Sequence, residues 1–274
     1  VLWLKKKETI GLFIIHGFLG NPDTSFGNLP VILKKNKIKH VLFETIQAHG
    51  PNDDINSFDY KIAKEQIERD YRFFKEQYDK TYIIGFSLGG VLATFLASKV
   101  GTDRLVLVAP ALKYGGNRRM SDKIIEHFKS NDKTEIEDNI NISDKDATKL
   151  LKEYLKSEKS NDGGVDYQTD FVDRLGKIKP SVFVNFVKMI ASIRRSMGYF
   201  NVPTRFYISE NDDLVPTDAV FYGFDRITNY DKRILILSKV KHRILASELK
   251  YDVYRDIFYF LYGKEKIKWP KESK

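Results

Sequence analysis

Apolar residues in this chain fall into two rhythms. Short, mostly apolar runs stand at 10–15, 41–44, 82–86, 104–110, 204–209 and 233–238. A run with little polar alternation suits a strand buried on both faces, as inside a parallel sheet. Between the runs lie longer stretches whose apolar positions recur about every 3.6 residues, the helical period. Residues 58–80 place Ile62, Ile67, Tyr71, Phe74 and Tyr78 on one stripe, with Ser57 or Asp59 available to cap the start. Residues 88–100 are rich in alanine and leucine and apolar on most faces, so a buried helix is expected, stopped by Gly101. A helix from near Ser25 should carry Phe26, Leu29, Ile32 and Leu33. A terminal helix over 246–262 should bury Leu249, Val253, Ile257, Phe260 and Leu261. Beyond Gly263 the chain reads as a loose tail.

Strand, helix and strand joined by short links predict repeated right-handed βαβ units, and so a mostly parallel central sheet flanked by helices. The pattern changes after Ala111. Residues 111–200 hold no long β-branched run, and helical segments are expected at 122–129, 146–157 and 180–197. A plain crossover needs far fewer residues. The expected organisation is therefore an α/β core over 1–110 and 201–274, with 111–200 as a helical cap insertion. Within that insertion Phe183, Phe186, Met189 and Ile193 either line a pocket or pin the cap to the sheet.

Ligands of a parallel α/β sheet bind beyond the carboxyl ends of its strands, and the chemistry-bearing residues cluster there. Gly85-Phe86-Ser87-Leu88-Gly89 sits where a strand turns sharply into a helix, in the G-x-S-x-G spacing of a nucleophile elbow. Side chains at 85 and 89 would strike the neighbouring strand and helix, which explains glycine at both. A serine hydroxyl is a poor nucleophile near neutral pH; it needs a base, and the base needs a carboxylate to fix its tautomer. His242 is the one histidine of five that lies past the last strand and just before the terminal helix. The loop after 204–209 offers Glu210, Asp212, Asp213 and Asp218. Asp212 is the first choice and Asp213 the second, with an Asx-type turn before Pro216 as the other use of these aspartates. After the first strand, His16-Gly17-Phe18-Leu19-Gly20 is placed to supply half of an oxyanion hole through the Phe18 amide. His16 and His49 are read as residues that hold loops.

Composition changes this picture little. Hydrophobic residues make up 42%, enough for a sizeable core. There is no cysteine, which removes disulfides, thiolate metal sites and a cysteine nucleophile. Net charge is +9, but the lysines are scattered among acids and lack any nucleic-acid motif, so they read as a solvated surface and no nucleic-acid partner is expected. No segment is long and apolar enough to span a bilayer, so stable membrane insertion is not expected. A cytoplasmic location is expected, with a removed export signal left open because the sequence does not begin with methionine.

Together, His16-Gly17-Phe18-Leu19-Gly20, Gly85-Phe86-Ser87-Leu88-Gly89-Gly90, Glu210-Asn211-Asp212-Asp213-Leu214-Val215-Pro216 and Lys241-His242 resemble the α/β-hydrolase superfamily. Within it they are most similar to small bacterial carboxylesterases and monoacylglycerol lipases. Gln47-Ala48-His49-Gly50 departs modestly from the G-H-G usual there. The resemblance implies an α/β-hydrolase fold, Asp212 as the acid of its D-x-x-V-P loop, and oxyanion donors at the Phe18 and Leu88 amides. It also implies a small-molecule ester substrate with an acyl chain, and neither cofactor nor metal. The same residues would serve a thioesterase, an amidase or a carbon–carbon bond hydrolase; a binding protein would be expected to have lost one of them. The sequence leaves the oligomeric state open.

Overall fold

The computed structural model describes residues 8–113, 143, 145–149, 151–152 and 178–270. Six strands form one sheet: β1 (Ile10–Ile15), β2 (Val41–Glu44), β3 (Lys80–Phe86), β4 (Arg104–Val108), β5 (Thr204–Ser209) and β6 (Lys232–Leu237). Their order is β2-β1-β3-β4-β5-β6, and every neighbouring pair is parallel. Ile15 lies opposite Gly85, Phe86 opposite Val108 and Ser209 opposite Leu237, so the strands end near one level. β2 and β3 flank β1 on opposite sides. The winding therefore reverses at β1, and the crevice beside it is where such sheets bind ligands.

The helices are α1 (Pro22–Ser25), α2 (Leu29–Lys35), α3 (Tyr60–Lys75), α4 (Leu88–Lys99), α5 (Pro180–Ser196), α6 (Ala219–Phe224) and α7 (Lys250–Tyr262). Because side chains alternate along a strand, each strand feeds two cores. Phe13, Ile15, Ile83, Leu107 and Phe206 pack beneath α3, α4 and α5. Leu12, Ile14, Ile84, Val108 and Tyr207 pack beneath α2 and α7. α4 is buried from Leu88 to Ala97, as its composition requires of a helix between sheet and neighbours. Gly101, at φ +83, closes it by donating its N–H to the Leu96 carbonyl at 3.0 Å.

Several boundaries differ from the sequence expectation for identifiable reasons. α3 starts at Tyr60 because the Asp59 carboxylate accepts the Lys61 and Ile62 N–H groups, and it ends at Lys75. Its buried stripe runs through Tyr60, Ala63, Ile67, Tyr71 and Phe74, which leaves Ile62 55% exposed. The helix expected from near Ser25 starts only at Leu29, and the separate turn of α1 ends at Ser25, because Gly27 turns between them at φ +50. A Cβ there would meet the Leu245 carbonyl oxygen at 2.8 Å. The terminal helix starts at Lys250 rather than 246. Ser247 donates to the Ile244 carbonyl at 2.7 Å and ends a separate 3-10 turn, Ile244–Ala246.

The described part of the tail, residues 264–270, is docked rather than loose. Asn36 bonds Lys268 twice, from its side-chain amide to the Lys268 carbonyl at 3.1 Å and from the Lys268 N–H to its own oxygen at 3.0 Å. Trp269 meets Tyr251 edge to face at 5.0 Å between ring centroids.

The helix expected over 122–129 lies outside the described residues, as does most of the expected cap. Residues 145–149 and 151–152 are helical, within the segment expected at 146–157. α5, the last part of the expected insertion, lies on the core. Val182, Phe183, Phe186, Met189, Ile190 and Ile193 join the same cluster as α3 and α4. Lys64 donates to the Ser192 hydroxyl at 2.8 Å, the Tyr60 N–H to Asn185 at 3.3 Å and the Lys179 N–H to Asn56 at 2.8 Å. Phe183 and Phe186 are 0% and 1% exposed, so both belong to the core. Each contributes on the order of 2–3 kcal/mol of burial. No described helix is long and apolar enough to cross a membrane.

Candidate active site

Ser87 stands at the junction of β3 and α4 with φ 53° and ψ −115°. That conformation is costly for a residue with a Cβ, on the order of 1–3 kcal/mol. The surroundings impose it. The Ser87 N–H donates to the Val108 carbonyl at 2.9 Å, and the Ser87 carbonyl accepts from Gly90 at 2.9 Å and Ala111 at 3.1 Å. A Cβ at Gly85 would meet the Gly89 oxygen at 2.3 Å, and one at Gly89 the Ile15 oxygen at 2.1 Å. Both contacts are with backbone and cannot give way, so glycine is required at each, as expected. Of the six non-glycine residues with positive φ among the described residues, Leu19, Ala48, Ser87, Ala109 and Lys239 lie just beyond strand carboxyl ends. Strain is thus gathered at one rim of the sheet.

Three side chains from three loops meet at that rim. His242 Nε2 is 3.0 Å from Ser87 Oγ, and His242 Nδ1 is 2.7 Å from Asp212 Oδ2. Asp212 Oδ1 accepts the N–H groups of Leu214 and Val215, each at 2.9 Å. One carboxylate oxygen therefore builds the turn while the other faces the imidazole. Since the carboxylate only accepts, Nδ1 carries a proton and Nε2 is left to accept from the serine hydroxyl. Ser87 is 5% exposed and His242 1% exposed, so these hydrogen bonds lie in nearly dry surroundings.

Asp213 points elsewhere. Its carboxylate is 3.8 Å from the Lys241 ammonium and its side chain is 53% exposed. Asp218 pairs with Lys113 at 2.8 Å, and Glu210 is exposed. The histidine loop is held by features with no sequence signal. The Ser209 hydroxyl donates to the Val240 carbonyl and accepts from the Asn211 N–H, which ties the acid loop to the histidine loop. The Phe86 ring supports the His242 ring at 5.2 Å.

Leu88 follows the serine directly, and Gly17, the residue before Phe18, packs so close that a Cβ on it would meet Ser87 Cβ at 3.2 Å. Leu88 is the first residue of α4, whose opening amides have no partner inside the helix. The Phe18 loop is pinned by His16. Its Nε2 accepts the Ile46 N–H at 3.0 Å, which fixes Nδ1 as the donor to the Gly17 carbonyl at 2.8 Å. His49 donates from Nδ1 to the Gln47 carbonyl at 2.8 Å and packs 5.4 Å from the His16 ring and 5.1 Å from Phe58. Both histidines hold loops. A separate open cavity of about 740 Å³ runs between the loop after β2 and α3, past Gln47, Asp53, Glu65 and Arg69; Ser87 does not line it.

Burial keeps both loop histidines neutral. It pushes His16 down to about 3, helped by the neighbouring His49, and lowers His49 to about 4. Both lie below the ordinary value of 6.5, so the folded state binds fewer protons than the unfolded chain. Their cost to stability is absent above pH ~6.5 and grows as pH falls toward their folded values, by about 2 kcal/mol per histidine at pH 5. Urea midpoints should therefore fall between pH 7 and pH 5, and His49→Gln should remove one histidine's share. An unchanged midpoint contradicts this account.

Similarity to known proteins agrees with the fold. The family described as serine aminopeptidase, S33, matches residues 52–250. A monoacylglycerol lipase from Paleococcus ferrophilus is 17% identical over 92% of this chain and 93% of its own, with a TM-score of 0.61. The esterase EaEST from Exiguobacterium antarcticum is 13% identical over 93% of each chain, with a TM-score of 0.61. A bromoperoxidase from Bacillus anthracis is 14% identical over 93% of this chain and 92% of its own, with the same TM-score of 0.61. At such identities these structures speak for the fold alone. Parallel sheet, strained elbow and family match together show that the chain belongs to the serine aminopeptidase, S33, family of the α/β-hydrolase superfamily.

Proposed function

We propose that this protein is a serine hydrolase that cleaves carboxylic esters through an acyl-enzyme, with Ser87 as nucleophile, His242 as general base and Asp212 as the acid that orients it. The observation that supports this most is the unbroken hydrogen-bonded chain from Ser87 Oγ through the imidazole to Asp212. His242 Nε2 takes the hydroxyl proton as Oγ bonds to the ester carbonyl carbon. The new alkoxide is held by the amides of Phe18 and Leu88, and one such donor is worth about 3 kcal/mol of barrier. The C–O bond breaks as the imidazolium returns its proton to the leaving alcohol. Water then repeats the sequence on the acyl-serine and releases the carboxylic acid, leaving Ser87 free. Asp212 stays ionised and stabilises the imidazolium that forms twice in each cycle.

The family description names a peptidase, and an amide would pass through the same steps. An aminopeptidase must also hold the substrate's α-ammonium, which calls for a free carboxylate. Of the three described aspartates on the acid loop, Asp212 faces His242 and Asp218 pairs with Lys113, while Asp213 makes only a long, half-exposed pair with Lys241. With two of the three taken, the loop favours a neutral acyl ester. The reading keeps the core at 1–110 and 201–274, with residues 111–200 inserted and α5 as their return onto the core.

A panel of p-nitrophenyl esters from acetate to octanoate, run beside aminoacyl p-nitroanilides, tests the proposal. Ester turnover with stoichiometric fluorophosphonate labelling of Ser87 is expected. Preferential anilide turnover moves the assignment to peptidase, and no labelling removes the serine-hydrolase reading.

A further inference from the structure

The loop after β1 carries the Phe18 amide in the peptide whose Gly17 carbonyl accepts from His16 Nδ1 at 2.8 Å. Gly17 precedes it, Leu19 follows at φ 57°, and the Gly20 N–H folds back on the Gly17 carbonyl at 3.2 Å. His16 anchors the start of this loop, while the Phe18 ring is anchored elsewhere. It lies flat on the ring of Phe186, with centroids 4.3 Å apart and planes 13° from parallel. Phe58 and Phe183 stand farther off, at 6.0 and 6.4 Å and steeply inclined. Phe18 is 5% exposed and Phe186 1% exposed, so the paired faces are turned to each other rather than to a ligand.

Phe186 in turn is held by α5, which the contacts from Lys64, Tyr60 and Asn56 fasten to the core. His16 sets the plane of the Gly17–Phe18 peptide, and where the Phe18 end of the loop lies depends on what holds its ring. Hydrogen-bond donors for an oxyanion act through aim, and they weaken steeply when misdirected.

We infer that Phe186 is a positioning residue: stacked on Phe18, it holds the loop after β1 at the place from which the Phe18 N–H, whose plane His16 sets through the Gly17 carbonyl, reaches the carbonyl held at Ser87. The inference rests on the serine-hydrolase reading and goes beyond it. It makes α5, the helix by which the chain returns from residues 114–177, part of the machinery that aims the oxyanion donor. Docking of this helix and catalytic competence are then one event.

The test compares Phe186→Leu with Phe183→Leu, using p-nitrophenyl acetate, whose short acyl group needs no deep pocket. Both residues are buried in the same cluster, but only Phe186 stacks on Phe18. Phe186→Leu should lower kcat about 10-fold with KM within about 2-fold, a fraction of the loss on deleting a whole oxyanion donor. It should slow fluorophosphonate labelling by the same factor, and Phe183→Leu should do neither. Phe18→Leu should show the same kcat loss, and the double variant Phe18→Leu/Phe186→Leu should be no worse than either single one, since the two act through one contact. Phe186→Met serves in place of the leucine variant if that chain does not fold.

Wild-type kcat in folded Phe186→Leu overturns the inference. So do equal losses in Phe186→Leu and Phe183→Leu, which would mark plain packing, and additive losses in the double variant. If the wild type neither turns over esters nor labels, the hydrolase reading itself falls and takes this inference with it.

Discussion

Ser87→Ala is expected to lower kcat for p-nitrophenyl butyrate about 10⁵-fold while the protein stays folded. On the proposed reading the hydroxyl attacks the substrate carbonyl and hands its proton to His242 Nε2, 3.0 Å away. What remains in the variant is the weak catalysis of oxyanion donors and binding alone. A companion variant separates chemistry from conformation. At φ 53° and ψ −115° any residue with a Cβ is strained, so alanine keeps the strain and glycine relieves it. Ser87→Gly should be inactive yet about 1 kcal/mol more stable than the wild type in urea titrations. Ser87→Ala should show no such gain. Retained turnover in either variant removes Ser87 from the chemistry; equal stability of the two refutes the strain.

Asp212→Asn should cost about 10⁴-fold in kcat, and Asp213→Asn less than about 3-fold. The adjacent aspartates differ in environment rather than in chemistry. Asp212 is 3% exposed, with one oxygen 2.7 Å from His242 Nδ1 and the other on two backbone amides. An asparagine there can offer Nδ1 an NH₂ group, which turns the imidazole into the wrong tautomer and leaves Nε2 protonated and useless as a base. Asp213 makes a long, half-exposed pair with Lys241, of a kind worth less than about 1 kcal/mol. Kinetics on the two single variants decide between them, and comparable losses in both would disqualify Asp212 as the sole orienting acid.

The parallel sheet and its flanking helices were legible because unbroken apolar runs and helical periods repeat along this chain. Phe13 and Ile14, on successive positions of β1, fill opposite cores, which is why that strand shows no polar alternation. The elbow was legible for a local steric reason: Gly85 and Gly89 are explained by contacts with backbone a few ångströms away. Helix ends were less so. Gly27, Asp59 and Ser247 each stop or start a helix through the contacts of a single residue, Gly27 against Leu245 far along the chain and the other two nearby, and a period registers none of them. The docked tail escaped as well, because Asn36 and Lys268 bond across 232 positions of sequence.

Sequence by itself determined what each loop carries: a serine between two glycines, aspartates before Val215-Pro216, a histidine after the last strand. It also determined that these loops share one rim, because parallel strands must all end on the same side. Only the tertiary structure decided which aspartate faces the imidazole, that the Ser209 hydroxyl ties the acid loop to the histidine loop, and that Phe186 lies flat on Phe18. Those outcomes depend on distances of a few tenths of an ångström between segments far apart along the chain. No local pattern of residue types encodes such distances; they emerge from how the whole core packs.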